Sequence, residues 1–194
     1  MEEINLKEFP KGFYWYNEPS KYFIDGKLVF FTEPFTDFWQ KTHYGFQKDN
    51  GHCFLTKINK DFQFLAQLEF QFKELYDQCG IIIRINENYW TKVSIEFENR
   101  KISKLGSVVT NLGYSDWAMT NIPSDIHSMW YKVEKKGKDL AIENSFNGKN
   151  WSQMRISHIH TNFRTIESGI YACSPKQSSF KCIVKNIIIY KITD

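Results

Sequence analysis

The stretch Tyr89-Trp90-Thr91-Lys92-Val93-Ser94-Ile95-Glu96-Phe97-Glu98 decides how this chain folds. Successive side chains of an extended strand point to opposite faces. Thr91, Val93, Ile95 and Phe97 therefore form one face, and Trp90, Lys92, Ser94, Glu96 and Glu98 the other. The first set is what a sheet presses onto a core. The second is unusual for a solvated face, because an indole sits among a cation and two carboxylates. An aromatic ring beside fixed charges is how a sheet surface holds a polar ligand such as a sugar. A plain solvent face with a Lys–Glu cross-strand pair fits the same pattern, and this stretch alone leaves both readings open.

The alternation extends outward from there. Phe62, Phe64, Ala66, Leu68, Phe70 and Phe72 alternate with Gln63, Leu65, Gln67, Glu69 and Gln71, the pattern of a long strand with one apolar face. Further strands are predicted at 79–85, 104–110, 130–135, 139–144, 154–159, 168–173 and 180–192. A hairpin is predicted at 22–31 around a two-residue Asp25-Gly26 turn. Turn signals at 86–88, Gly137-Lys138 and Asn147-Gly148 separate the strands at the intervals of a sandwich. The one helical candidate is a single turn at 124–129. No internal repeat, low-complexity tract or linker divides the chain, so residues 1–194 are expected to form one domain. Many antiparallel strands over one uninterrupted length predict an all-β jelly roll of two stacked sheets.

Composition agrees. A chain of 194 residues can bury one substantial core, and 17 Phe, 10 Tyr and 6 Trp with only 5 Pro suit wide sheets. The net charge is +3 with both signs mixed, whereas a nucleic-acid footprint needs clustered Lys and Arg. No nucleic-acid partner is expected. The first eight residues show neither a basic n-region nor an apolar h-region, and no apolar run approaches transmembrane length. The expectation is a cytoplasmic protein without a membrane partner. There Cys53, Cys79, Cys173 and Cys182 should be reduced, small, mostly buried thiols, with Cys173 and Cys182 brought near each other by the turn at 174–179. No C-x-x-C pair exists, and His158 and His160 share a strand face but lack a third ligand. No metal or organic cofactor is expected.

A series of blocks carries a resemblance to a known family. They are Trp15-Tyr16-Asn17-Glu18-Pro19, Thr36-Asp37-Phe38-Trp39-Gln40-Lys41-Thr42-His43-Tyr44-Gly45-Phe46 and Asp49-Asn50-Gly51-His52. Leu75-Tyr76-Asp77-Gln78-Cys79-Gly80, Trp90-Thr91-Lys92-Val93-Ser94-Ile95-Glu96, and Val108-Val109-Thr110 with Ser115-Asp116-Trp117 follow. Ser145-Phe146-Asn147-Gly148-Lys149-Asn150-Trp151 and Ala172-Cys173-Ser174-Pro175 close the series. In this order the chain resembles the concanavalin A-like jelly rolls of domain-of-unknown-function family 1349 (DUF1349). The resemblance implies that fold over nearly the whole chain. Family members stand alone at about this size, similar domains are appended to some bacterial β-xylosidases, and one fungal member is described as a regulator of enolase. Asn147 replaces the aspartate expected in the Ser-x-Asp-Gly-x-x-Trp hairpin, and Asn-Gly makes the same turn. Such a fold constrains function weakly, since it hosts lectins, hydrolases and inert modules alike.

On the strand before the opening stretch, Gln78, Gly80, Ile82 and Arg84 share a face. Pairing through the 86–88 turn would bring Gln78 and Arg84 to Trp90, Lys92 and Glu96 on one concave sheet. Segments with turn character would add Trp39, His52, Asp116 and Trp117 at its rim. Such a set suits a carbohydrate: flat rings for the C–H face and planar polar groups for paired hydroxyls. The competing reading is an Arg84–Glu96 pair that locks two strands, with Trp39 and Trp117 anchoring loops. The expected function is a non-catalytic binding module for a carbohydrate or small polar metabolite. One alternative is a glycoside-active enzyme using Glu96 with a loop acid, Asp37, Asp77 or Asp116. Another is a protein-interaction or regulatory domain. Glu96 and Glu98 lie about 7 Å apart on one strand face, between the spacings of retaining and inverting glycosidases. The Glu-x-Asp-x-x-Glu motif of jelly-roll glucanases does not occur, and no Ser–His–Asp order, phosphate loop or His-Glu-x-x-His stretch is visible.

Overall fold

Period-two alternation is realised here as two large antiparallel sheets stacked face to face. The computed structural model describes residues 2–192, and no helix occurs among the described residues. In chain order the strands begin with β1 (Glu2–Glu3), β2 (Phe13–Tyr16), β3 (Tyr22–Ile24), β4 (Leu28–Phe31), β5 (Phe38–Gln40) and β6 (Gln47–Asp49). Then come β7 (His52–Ile58), β8 (Asp61–Gln71), β9 (Gln78–Asn86), β10 (Tyr89–Phe97), β11 (Ile102–Asn111) and β12 (Tyr114–Pro123). The series ends with β13 (Ser128–Lys136), β14 (Asp139–Ser145), β15 (Ser152–His158), β16 (Ile166–Cys173) and β17 (Lys181–Ile192). One sheet has the order β15-β14-β13-β8-β17-β4-β3 with β1 added on β17; the other is β12-β11-β10-β9-β16-β7-β2. β5 and β6 form a separate hairpin. This is the concanavalin A-like jelly-roll sandwich.

Between the sheets lies the main core. Phe62, Phe64, Ala66, Leu68 and Phe70 of β8 meet Ile81 and Ile83 of β9 and Val93 and Ile95 of β10. Thr91 is also buried, while Phe97 sits half-buried at the strand end. Each large apolar side chain so buried contributes about 1.5–3 kcal/mol. On the outer side of the seven-stranded sheet, Gly80 and Gly169 lie where the neighbouring backbone leaves no room for a side chain. A Cβ would stand 1.8 Å from Val93 O at Gly80 and 1.9 Å from Phe54 O at Gly169.

Several local expectations are corrected. The 124–129 segment is not helical; a turn closes with Ile126 N–H to Pro123 O at 3.5 Å, and β13 begins at Ser128. The hairpin at β3–β4 turns through three residues, with Asp25 N–H donating to Lys27 O and Ile24 paired to Leu28. All four cysteines are free and buried, but Cys173 and Cys182 belong to different apolar clusters. Cys182 lies in the main core together with Cys79.

The largest correction concerns the outer face of the seven-stranded sheet. The β5–β6 hairpin folds over it and seats Phe38, fully buried, edge-on to Tyr171 and Trp90 at centroid distances of 6.0 Å. Trp90 is thereby only 3% exposed, and its indole N–H donates to Glu87 O at 3.2 Å. It is a core residue of a second apolar cluster with Cys53, Leu55, Ile82, Val108 and Tyr171, and not an open ligand surface. Truncating a buried indole costs about 3–5 kcal/mol. Trp90→Ala is therefore expected to lower unfolding free energy by that amount in denaturant titration; a loss under about 1 kcal/mol would show that Phe38 does not cover it.

Candidate functional site

The β9–β10 register sets Gln78 opposite Glu96, Ile82 opposite Lys92 and Arg84 opposite Trp90. Lys92 is buried, so its ammonium must find partners inside the protein. It donates to Phe38 O and to Gln78 Oε1, both at 2.9 Å, with the Asp37 carboxylate 3.7 Å away. Tyr171 O–H donates to the same Gln78 oxygen at 3.1 Å. Two donors on Oε1 leave only the amide nitrogen to face the other way. That nitrogen donates to Glu96 Oε2 at 2.9 Å and to Tyr76 O at 3.2 Å. Glu96 Oε1 takes no protein hydrogen bond among the described residues.

This polar row borders a cavity of about 440 Å³. The sheet lines it with Gln78, Lys92, Glu96, Val108 and Trp117, and the hairpin region with Phe35, Asp37, Trp39, Tyr44, Phe46 and Lys48. Tyr76, Pro175 and Lys176 complete it from flanking loops. The volume matches sites for molecules of sugar size. The Trp39 indole is anchored by its N–H to Thr42 O at 2.9 Å, and Tyr44 leans on it at 5.3 Å. Phe35 and Tyr76 hold left-handed backbone angles, φ +61° and +73°. That conformation costs a side-chain-bearing residue about 1–2 kcal/mol, and here it sets two aromatic rings at the mouth.

Five residues expected at the site are thus brought together: Trp39, Gln78, Lys92, Glu96 and Trp117. Four are not. Trp90 is buried under Phe38. Arg84 shares the sheet face but lies six residues along β10's register from Glu96, about 20 Å away. It pairs with Asp49 at 2.9 Å and Glu167 at 3.6 Å and stacks on Tyr16, clamping β6 to the sheet; it does not pair with Glu96. His52 is buried at the start of β7. Its Nε2 accepts the Glu33 N–H at 3.0 Å, so Nδ1 carries the proton and donates to Asn17 O at 2.7 Å. Asp116 lies on β12 next to Trp117, so it faces the opposite side and meets Arg155 at 2.8 Å.

Asp77, a candidate acid, is fully buried and accepts from the N–H groups of Lys73 and Glu74 and the hydroxyls of Ser174 and Ser178. Tyr44, Phe46, Lys48, Tyr76 and Lys176 were not anticipated as lining residues. The aromatic density of 38–46 was the one available signal.

Burial pushes the Glu96 carboxyl up to about 7; Asp37 and Glu98 act the same way, and the Lys92 and Lys104 ammoniums oppose it. The folded protein therefore holds a proton that an ordinary carboxyl has already released between about pH 4.5 and 7. Stability contributed by that proton is present in acid and lost as pH rises through about 7. Glu96→Gln is expected to flatten the fall in unfolding free energy across this window, by about 1–3 kcal/mol, in denaturation at stepped pH. A variant with the wild-type slope would contradict a raised Glu96.

Residues 15–192 match the family model described as protein of unknown function (DUF1349). The Saccharomyces cerevisiae protein named regulation of enolase protein 1 is 32% identical over 182 residues, 93% of this chain and 90% of the relative. A crystal structure of a functionally unknown Saccharomyces cerevisiae protein superposes with a TM-score of 0.87 at 29% identity, covering 94% of this chain and 98% of that one. The GH43 protein BlXynB of Bacillus licheniformis gives a TM-score of 0.76 at 13% identity, covering 98% of this chain and 39% of that one. At that identity the likeness is one of fold. Sequence, length and architecture agree: the chain belongs to the DUF1349 family of proteins of unknown function.

Proposed function

We propose that the protein is a non-catalytic binding module whose cavity takes a carbohydrate or a small hydroxylated metabolite. The observation that carries this reading is the free Glu96 Oε1 beside the Lys92 and Gln78 row, walled by the Trp39 and Trp117 rings. The Gln78 amide and the Lys92 ammonium are already engaged and hold Glu96 in place, so its free oxygen is the group offered to a ligand hydroxyl. The rings offer apolar surface to the C–H face of a sugar. A glycoside-active role is less well supported. Of the three candidate acids only Asp37 lines the cavity with Glu96, and its Oδ1 already accepts the Phe38 N–H at 2.7 Å.

A second reading is favoured by the exposed rings of Phe35, Tyr44, Phe46 and Tyr76 around the same mouth. Clustered exposed aromatics suit a protein partner. The name of the yeast relative makes enolase the partner to try, and its regulation the role to test.

Calorimetric titration with a panel of hydroxylated ligands, neutral and anionic, tests the first reading. Trp117→Ala should weaken binding by about tenfold or more while the variant stays folded by circular dichroism, because Trp117 is half-buried at the wall and packs on the edge of the second apolar cluster. A wild-type protein that binds nothing in the panel, yet binds purified enolase through Tyr44 and Phe46, would shift the account to the second.

A further inference from the structure

We propose that the ligand of this cavity is an anionic polyol, a hydroxylated molecule bearing a carboxylate or phosphate, with its anion at the mouth between Lys48 and Lys176. The inference rests on reading the cavity as a ligand site. Two acids, Asp37 and Glu96, and three lysines, Lys48, Lys92 and Lys176, line the space. Lys92 is buried and matched from within by Asp37 at 3.7 Å and by two hydrogen bonds. What remains is Glu96 against two ammoniums. Neither Lys48 nor Lys176 forms an ion pair among the described residues. Burial favours the neutral form of Glu96, which leaves the excess charge positive.

Both lysines are placed by structure. Lys48 stands directly across the β5–β6 ladder from Trp39, so the two side chains leave the hairpin on the same side. The Lys176 carbonyl accepts the N–H groups of Phe35 at 3.1 Å and Ser178 at 2.8 Å, which fixes its backbone at the rim. Its ammonium lies 5.4 Å from the centroid of the Tyr76 ring. Lysines on exposed loops often serve solubility alone. These two are exposed and also line the mouth of an apolar-walled recess, whose low-dielectric walls concentrate the field on whatever enters. A neutral sugar would leave both ammoniums unused.

The test is calorimetry on the full chain with matched pairs: glucose against glucuronate, and glucose against glucose 6-phosphate. The anionic member should bind about tenfold tighter at low salt, a difference of about 1.4 kcal/mol. The gap should shrink at about 0.5 M salt, where the screening length falls to a few ångströms. Lys48→Gln and Lys176→Gln should each weaken the anionic ligand several-fold and leave the neutral one unchanged. The two pairs separate carboxylate from phosphate. Equal affinities within both pairs, tighter binding of glucose, or a gap that survives both substitutions would overturn the inference while sparing the cavity. Failure of every member to bind would remove the cavity reading and the inference with it.

Discussion

The buried ammonium of Lys92 organises the outer face of the seven-stranded sheet. An unpaired charge inside a protein is costly, so Lys92 must collect oxygens wherever the chain supplies them. It takes one from the hairpin, Phe38 O, and one from its own sheet, Gln78 Oε1. The first bond pins the hairpin down and seats the Phe38 ring over Trp90 and Tyr171. The second orients the Gln78 amide, which in turn meets the carboxyl group of Glu96. One cation thus couples the lid, the second apolar cluster and the polar row of the cavity.

The hairpin divides that face into two unlike halves. At one end Arg84, Tyr16 and Asp49 form a closed polar clamp, helped by the Tyr14 hydroxyl on Glu167. In the middle Phe38 fills the space. At the other end the chain leaves an opening lined by Trp39, Trp117, Gln78 and Glu96. Gln40 N–H donating to Ser115 Oγ at 2.9 Å ties the hairpin to β12 and keeps that opening in place. Phe35 and Tyr76 are two of six non-glycine residues with positive φ among the described residues, the others being Asn17, Lys41, His43 and Leu112, and these two line the opening. Strain of that kind persists where surrounding structure holds it.

The fold was legible because alternation is local. β8 and β10 announce their inward faces residue by residue, and both were placed within one residue of their ends. β12 was missed because its run Tyr114–Pro123 is mostly exposed and mixes Ser, Asp, Thr and Asn into the pattern. Missing it put Asp116 and Trp117 on one rim, although strand neighbours face opposite ways. Trp90 was assigned to the correct face and the wrong environment. Its cover, Phe38, arrives from 52 residues earlier in the chain, and no period reveals such a contact. Arg84 shows the same limit along the strand: sharing a face with Glu96 does not place it within reach.

The central claim is that Lys92 and Phe38 close most of this face and leave one opening at the Gln78–Glu96 end. Nuclear magnetic resonance mapping during titration with an anionic polyol tests it most directly, through the indole N–H signals and the Gln78 side-chain amide. The account predicts shifts at Trp117 and Gln78, with the Trp90 indole, bonded to Glu87 O beneath Phe38, unmoved. Shifts centred on Trp90 and Arg84, with Trp117 and Gln78 silent, would contradict it.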